Sequence, residues 1–346
     1  MIKGNNILTI GCDFDPPKGG IAQVLYTYSK EVYEQFNFIP NSCEGNKWKK
    51  LLIAIKAFIQ CLWVFTFRKE ITIIHIHTAS YVSFRRSAIF VRLAKMYGKK
   101  VVLHIHGGGF KDYYQTTPIW IKSILDKCDE IVALTSEWKS FFQEIGYNNV
   151  FIVNNIIPRP KMKSVTKDGR IHLLFLGWIV KEKGIFDLIE VFAGHKKECE
   201  DKIVLHIGGN HEIEKLLEMI KSFHLEKNVK YEGWVSGEKK IQLLNMMDAF
   251  ILPSYTEGLP ISILESLSYG KPVITTSVGG IPEVVNHKNG YLFNAGDKNA
   301  MWNIIKSIIH YPNQLTDKAD AARLSIMENL PDHIVKQLQR MYEGLC

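Results

Sequence analysis

Ser254-Tyr-Thr-Glu-Gly-Leu-Pro-Ile-Ser-Ile-Leu-Glu265 stands one residue after the apolar run Ala249-Phe-Ile-Leu252 and a few residues before Gly270. Four apolar residues in a row read as a strand buried on both faces of a parallel sheet. Pro260 suits a first helical position, because its missing N–H would be unpaired there anyway. Gly270 suits the stop, where a left-handed residue is wanted. The stretch therefore predicts strand, turn and helix, with Glu257 in the turn and Glu265 about two turns into the helix. Unpaired N–H groups converge at such a junction and make a place for phosphate. The two carboxylates add acceptors for hydroxyl groups. The ligand class implied is one that carries both phosphates and hydroxyls, such as a sugar nucleotide.

The same alternation extends in both directions. In the first half, Asn6–Gly11, Ile71–Ile76, Lys100–Ile105, Glu130–Leu134 and Val150–Val153 read as strands. Ile21–Phe36, Phe84–Tyr97 and Ser136–Ile145 read as helices between them. A break follows at Asn154-Asn-Ile-Ile-Pro-Arg-Pro-Lys161 and runs to Asp168-Gly169, where prolines and polar residues mark a linker. A second series predicts strands at His172–Leu176, Ile203–Ile207, Val229–Tyr231, Ala249–Leu252, Pro272–Thr275 and Tyr291–Phe293. Closing helices are predicted near Thr316–Glu328 and Asp332–Leu345. Alternation of this kind gives parallel sheets with helices on both faces. A chain of 346 residues is long enough for two such domains, each with its own core.

Charge is unevenly placed. Residues 1–160 carry 20 Lys+Arg and 12 Asp+Glu, and residues 161–346 carry 23 of each, so the whole excess of +8 lies in the first part. That excess suits an anionic partner or a solvated basic face. The six cysteines are scattered, without a Cys-x-x-Cys pair, which excludes a zinc cluster of that type and a disulfide framework. The start of the chain lacks a signal-peptide layout, so a cytoplasmic protein is expected. The segment from Lys47-Trp-Lys-Lys50 to Phe65-Thr-Phe-Arg-Lys69 is apolar at its centre, basic at its ends, and carries Trp48 and Trp63. Ordinary helix amphipathicity favours a buried helix packed on the sheet for much of its surface. The alternative is an interfacial anchor on an anionic membrane.

Five ordered blocks resemble the retaining GT-B glycosyltransferases of family 4. They are Pro16-Pro-Lys-Gly-Gly20; Phe175-Leu-Gly177 with Glu182-Lys-Gly184; Glu257-x7-Glu265; Lys271-Pro-Val-Ile-Thr-Thr-Ser-Val-Gly-Gly-Ile-Pro-Glu283; and Asn289-Gly-Tyr-Leu292. The resemblance implies an α/β GT-B fold, with two Rossmann-like domains facing a central cleft. Residues 1–160 would form the acceptor domain and 161–330 the nucleotide-sugar domain, with 331–346 crossing back to the first. It implies an enzyme that transfers a sugar from a nucleotide sugar, UDP-linked by default, to a glycan acceptor. A polyprenyl-diphosphate-linked saccharide in cell-surface polysaccharide synthesis is the expected acceptor.

Residue roles follow from the same resemblance. Lys183 is placed on the donor diphosphate, where a cation stabilises charge growing on the leaving group. Glu257 is placed at the transferred sugar and Glu265 on the ribose hydroxyls. His106, at the end of Val102-Leu-His-Ile-His-Gly-Gly-Gly-Phe110, is placed near the reaction centre. Gly19, Gly20 and Gly177 let backbone approach the donor, and backbone groups at Gly258, Leu259 and Ile261 would hold phosphate. Pro260 cannot donate a hydrogen bond. Val235 is matched to a backbone contact with uracil. The chain departs from the family after Gly177, where Trp178 replaces a common arginine and a bidentate phosphate partner is lost. Lys181 is the candidate substitute.

No metal or other cofactor is expected. His75, His77 and His104 are read as packed strand-end histidines, and Asp13-Phe-Asp15 as a coincidental acid-x-acid pattern. Nucleic acid is not an expected partner. Two other functional readings fit parts of the sequence. One is a sugar-nucleotide epimerase of related fold. The other is a non-catalytic nucleotide-sugar- or membrane-binding module, which the arginine missing at Trp178 favours.

Overall fold

The computed structural model describes residues 1–166 and 168–345. Lys167, within the expected linker, and Cys346, the last of the six cysteines and of the segment expected to cross back, lie outside the described residues. The chain divides into two compact units, Met1–Pro158 with Glu328–Cys346, and Arg159–Met327.

The first unit holds a six-stranded parallel sheet ordered β2-β1-β3-β4-β5-β6. Its strands are β1 Ile7–Cys12, β2 Asn37–Ser42, β3 Ile73–Thr78, β4 Lys100–Ile105, β5 Glu130–Ala133 and β6 Val150–Ile152. Order reverses between β1 and β3, which makes their C-terminal ends the switch point of an open sheet. The core is an apolar sandwich in which Ile10, Ile74, Ile76, Leu103 and Ile131 meet Phe84, Phe90, Phe110, Ile124 and Phe142 from the covering helices. The final helix, Pro331–Glu343, belongs to this unit, and its Ile334, Leu338, Met341 and Tyr342 are buried.

The second unit holds another parallel six-stranded sheet, ordered β12-β11-β10-β7-β8-β9. Here β7 is Ile171–Leu176, β8 Ile203–Gly208, β9 Val229–Gly233, β10 Ala249–Leu252, β11 Val273–Thr276 and β12 Gly290–Phe293. Strands 7 to 9 run outward one way and 10 to 12 the other, which is the doubly wound Rossmann order. Every residue of β7, β8, β10 and β11 is buried, as continuous apolar runs demand.

Several expectations need correction. The first helix stops at Thr27 and passes through a π-turn, Tyr28–Val32, before β2, a strand the sequence reading missed. Asn37-Phe-Ile-Pro-Asn-Ser42 has polar residues and a proline, so it lacks the apolar run that marks a buried strand. Thr316–Glu328 is not one helix; Asn313–Asp317 and Ala319–Leu324 are separate short ones. Pro260 is not the first helical residue but the cap before it, with ψ 124°, and the helix runs Ile261–Ser268. Glu265 is its fifth residue, a little over one turn in rather than two.

The largest correction concerns Lys47–Phe67. It is a helix, but only Ala57, Cys61, Val64 and Phe65 are buried. Trp48, Leu51, Leu52, Ile55, Ile59, Trp63 and Phe67 are exposed. The buried reading fails because the helix is apolar on nearly every side. Periodicity then cannot say which side the domain covers.

Candidate active site at the sheet edge

In the second unit, the loops after β7, β10 and β11 lie side by side at the C-terminal edge, because those three strands are neighbours. The β7/β10 boundary is the switch point, where two loops part and leave room for a ligand. Backbone contacts tie the loops to one another. Tyr255 N donates to Glu182 O at 2.8 Å, and Gly280 N donates to Gly258 O at 2.7 Å. Thr276 Oγ1 donates to Ser254 O at 2.6 Å. Two glycines make these approaches possible. Gly184, at φ 67°, sits so close to Pro253 that a Cβ would lie 2.0 Å from its carbonyl oxygen. Gly279, at φ 53°, stands in the same relation to the carbonyl of Glu257.

This frame brings Lys183 and Glu257 together. Lys183 ends a short 3₁₀ turn, Lys181–Lys183, before the helix Ile185–Gly194. Its Nζ donates to Glu257 Oε1 at 2.5 Å, and Ser254 Oγ donates to the same oxygen at 2.7 Å. The Glu257 side chain is 8 % exposed and that of Lys183 24 %. This enclosed carboxylate oxygen is thus met by one cation and one hydroxyl donor. An ammonium has three N–H groups, so two of those on Lys183 lie outside this contact.

Glu265 is buried in its helix and accepts from Lys240 Nζ at 2.6 Å. Lys240 comes from the helix Gly237–Met246. Neither Lys240 nor Ser254 was singled out from sequence. Ser254 lay inside the quoted stretch, but a serine beside a glutamate carries no distinctive signal. Lys240 is one of two adjacent lysines on an otherwise ordinary helix.

The remaining positions of this unit fall around the same edge. Gly177 follows β7, with its N–H bonded to Gly208 O at 3.1 Å. Trp178 is half exposed, its ring 4.8 Å from that of His211, so an aromatic pair occupies the place of the missing arginine. Lys181 is exposed, and it is Lys183 that makes the ion pair. Val235 is buried and its side chain packs against Gly208. Leu259 and Ile261 are buried, and with Gly258 and Pro260 they lead into the helix start.

Gly19, Gly20 and His106 belong to the first unit. Gly19 caps the helix Gly20–Thr27 with φ 97° and ψ 169°, a region that excludes side chains, and a Cβ there would meet nothing within 4 Å. His106 follows β4. Its Nε2 is 2.9 Å from His77 Nδ1. It is one of four stacked imidazoles, with ring centroids 4.1 Å apart for His104 and His106 and 4.5 Å for His75 and His77. His75 Nδ1 meets the Tyr342 hydroxyl at 2.5 Å, and Tyr342 meets Tyr33 at 2.6 Å. Burial pushes His75 and His106 down to about 3, and His77 and His104 well below the ordinary histidine value. The rings are therefore neutral hydrogen-bonding groups near pH 7. His75, His77 and His104 each bring one ring nitrogen within 4.8 Å of the others. Their rings stack, and both nitrogens of His75 are engaged, whereas His77 Nε2 and His104 Nε2 are buried without a hydrogen-bond partner among the described residues.

The comparisons agree with this fold. Residues 158–325 match the family model described as Glycosyl transferases group 1. HepE of Anabaena, solved in complex with UDP, superposes with a TM-score of 0.74 at 15% identity, covering 98% of this chain and 100% of that one. The protein thus has the GT-B fold of two parallel six-stranded sheets, and its residues 158–325 are similar to the glycosyl transferases group 1 domain.

Among curated relatives, N-acetyl-alpha-D-glucosaminyl L-malate synthase of Bacillus anthracis is 26% identical over 64% of this chain and 57% of its own length. The amylovoran biosynthesis glycosyltransferase AmsK of Erwinia amylovora is 27% identical over 51% and 45%. The aligned stretch thus spans about half the length of these two relatives.

Proposed function

We propose that the protein is a retaining, metal-independent family 4 glycosyltransferase. It transfers a hexosyl group from a UDP-sugar to a lipid-linked glycan acceptor in cell-surface polysaccharide assembly, on the cytoplasmic side of the membrane. The observation that carries this reading is the Lys183–Glu257–Ser254 contact at the switch point of the second sheet. HepE with bound UDP supports the nucleotide, and the amylovoran relative supports the polysaccharide setting.

In this reading the acceptor hydroxyl attacks the sugar on the face from which the diphosphate leaves. The new C–O bond forms as the bond from the anomeric carbon to phosphate oxygen breaks. The hydroxyl proton passes to the departing phosphate oxygen. Lys183 turns its remaining N–H groups to that phosphate, where charge grows during the reaction and stabilisation counts most. N–H groups at Gly258, Leu259 and Ile261 hold the phosphates at the helix start. Glu257, held by Lys183 and Ser254 through Oε1, accepts from hydroxyls of the transferred sugar. Glu265 accepts from the ribose and Val235 meets uracil through its backbone. His106, Gly19 and Gly20 are assigned to the donor on the family resemblance.

The test is a panel of UDP-sugars and GDP-sugars with a prenyl-diphosphate-linked saccharide acceptor, with and without EDTA. Acceptor-dependent UDP release, a product heavier by one hexosyl residue and a retained anomeric configuration are expected, unaffected by EDTA. Sugar interconversion without acceptor would instead identify an epimerase, and binding without turnover a non-catalytic module. Complete, Mn²⁺-reversible loss in EDTA would overturn metal independence and return attention to Asp13 and Asp15.

A further inference from the structure

We propose that the helix Lys47–Phe67 is a docking surface for an anionic lipid bilayer, lying in the plane of the membrane rather than crossing it. Among the described residues it is the one helix long and apolar enough to span a bilayer. Its contacts argue against spanning. Ala57, Cys61, Val64 and Phe65 form one stripe that enters the core of the first unit. Trp48, Leu52, Ile55, Ile59 and Trp63 form a second stripe, exposed, on roughly the opposite side at 3.6 residues per turn. A spanning helix would have to leave the core. A helix lying on the surface keeps the first stripe packed and immerses the second.

The charge pattern selects the partner. Lys47, Lys49, Lys50, Lys56 and Lys69 lie on or beside the helix, which itself holds no acidic residue, while Arg68 at its end pairs with Glu70. Lys49 and Lys56 flank the exposed stripe at 3.6 residues per turn, where their ammonium groups reach headgroup level while their stems lie along the apolar surface. Tryptophan favours the same depth. The neighbouring helix, Val82–Met96, adds exposed Arg85, Ile89, Arg92 and Met96 at helical spacing. A second protein copy would have to accept the same cluster of like charges facing itself. Anionic lipid supplies the complementary charge and an apolar phase together.

Vesicle flotation of the full chain tests this independently of any transfer activity. Binding to phosphatidylglycerol-containing vesicles is expected, with little on pure phosphatidylcholine and loss at 0.5 M salt through screening over a few ångströms. Replacing Lys49 and Lys56 with glutamate should weaken binding by about 25-fold or more, at about fivefold per basic residue. Ile55→Gln with Ile59→Gln should weaken it about 10-fold by removing immersed apolar area. Both sites are exposed, so an unchanged melting temperature is expected and shows that the fold is intact. The proposal is overturned if wild type ignores anionic vesicles, if either variant binds like wild type, or if phosphatidylcholine binds equally well. Resistance to alkaline carbonate extraction would indicate spanning and overturn the in-plane arrangement. A stable dimer that Ile59→Glu dissociates without loss of vesicle binding would give the face to a second copy.

Discussion

Lys183→Ala separates the catalytic contribution of this lysine from its structural one. The side chain supplies one of two donors to Glu257 Oε1, and Glu257 is 8 % exposed. Removing the lysine leaves an enclosed carboxylate with a single hydroxyl partner. Breaking a fully buried pair costs roughly 3–5 kcal/mol. Lys183 is a quarter exposed and water enters when it is removed, so about 1–2 kcal/mol is expected here. For a unit of this size that lowers its melting temperature by about 2–8 °C. The kinetic effect should be larger, on the order of 100-fold in turnover, because charge on the leaving diphosphate grows in the transition state. The double variant Lys183→Ala/Glu257→Gln removes the stranded charge. It should recover most of the melting temperature and none of the turnover. Scanning calorimetry beside a UDP-release assay gives both readouts. A folded Lys183→Ala protein with wild-type turnover would refute the assignment. So would a double variant whose activity returns with its stability, since that lysine would then act only by holding Glu257.

The two glutamates should behave differently. Glu265→Ala should weaken calorimetric binding of free UDP by about 10- to 100-fold, with a smaller loss for Lys240→Ala, whereas Glu257→Ala should chiefly lower turnover with intact donor; equal loss of UDP affinity would refute the division of roles. The buried histidines give a pH dependence with a definite sign. His75, His77, His104 and His106 stay neutral in the fold but protonate in the unfolded chain below about 6.5, so stability is full above that pH and falls towards pH 3. Each contributes up to about 1.4 kcal/mol per pH unit, and a melting temperature of the first unit that stays flat from pH 7 to 5 would contradict the neutral stack. Gly279→Ala should cost roughly 1–3 kcal/mol and reduce turnover, because its Cβ would meet the Glu257 carbonyl and its φ is positive. Gly19→Ala shares the backbone strain but meets no neighbour, so its loss of stability should be the smaller; an equal loss at both would count against the bracing of the Glu257 turn.

Most of the two-sheet architecture could be read from sequence because parallel strands are short apolar runs between helices. That regularity made Ala249–Leu252 legible and left β2, with its polar residues and proline, unseen. Lys183, Glu257 and Glu265 stood out through the ordered blocks around them. The pairing of Lys183 with Glu257 and the Lys240 partner of Glu265 did not, since the sequence separations are 74 and 25 residues and a long-range pair leaves no local pattern.

Strand order was decided only in three dimensions. It sets the switch point beside β7 and β10 and so brings the Lys183 and Glu257 loops into contact. The sequence alone determined that Lys47–Phe67 is a helix, apolar and basic-ended. Only packing decided which side was covered. Small residues at 57 and 61 let that stripe settle on the core, while the bulkier Trp48, Ile59 and Trp63 remained outside. Burial is a property of neighbours distant in the chain, and a helix apolar all round gives its own sequence no means of choosing among them.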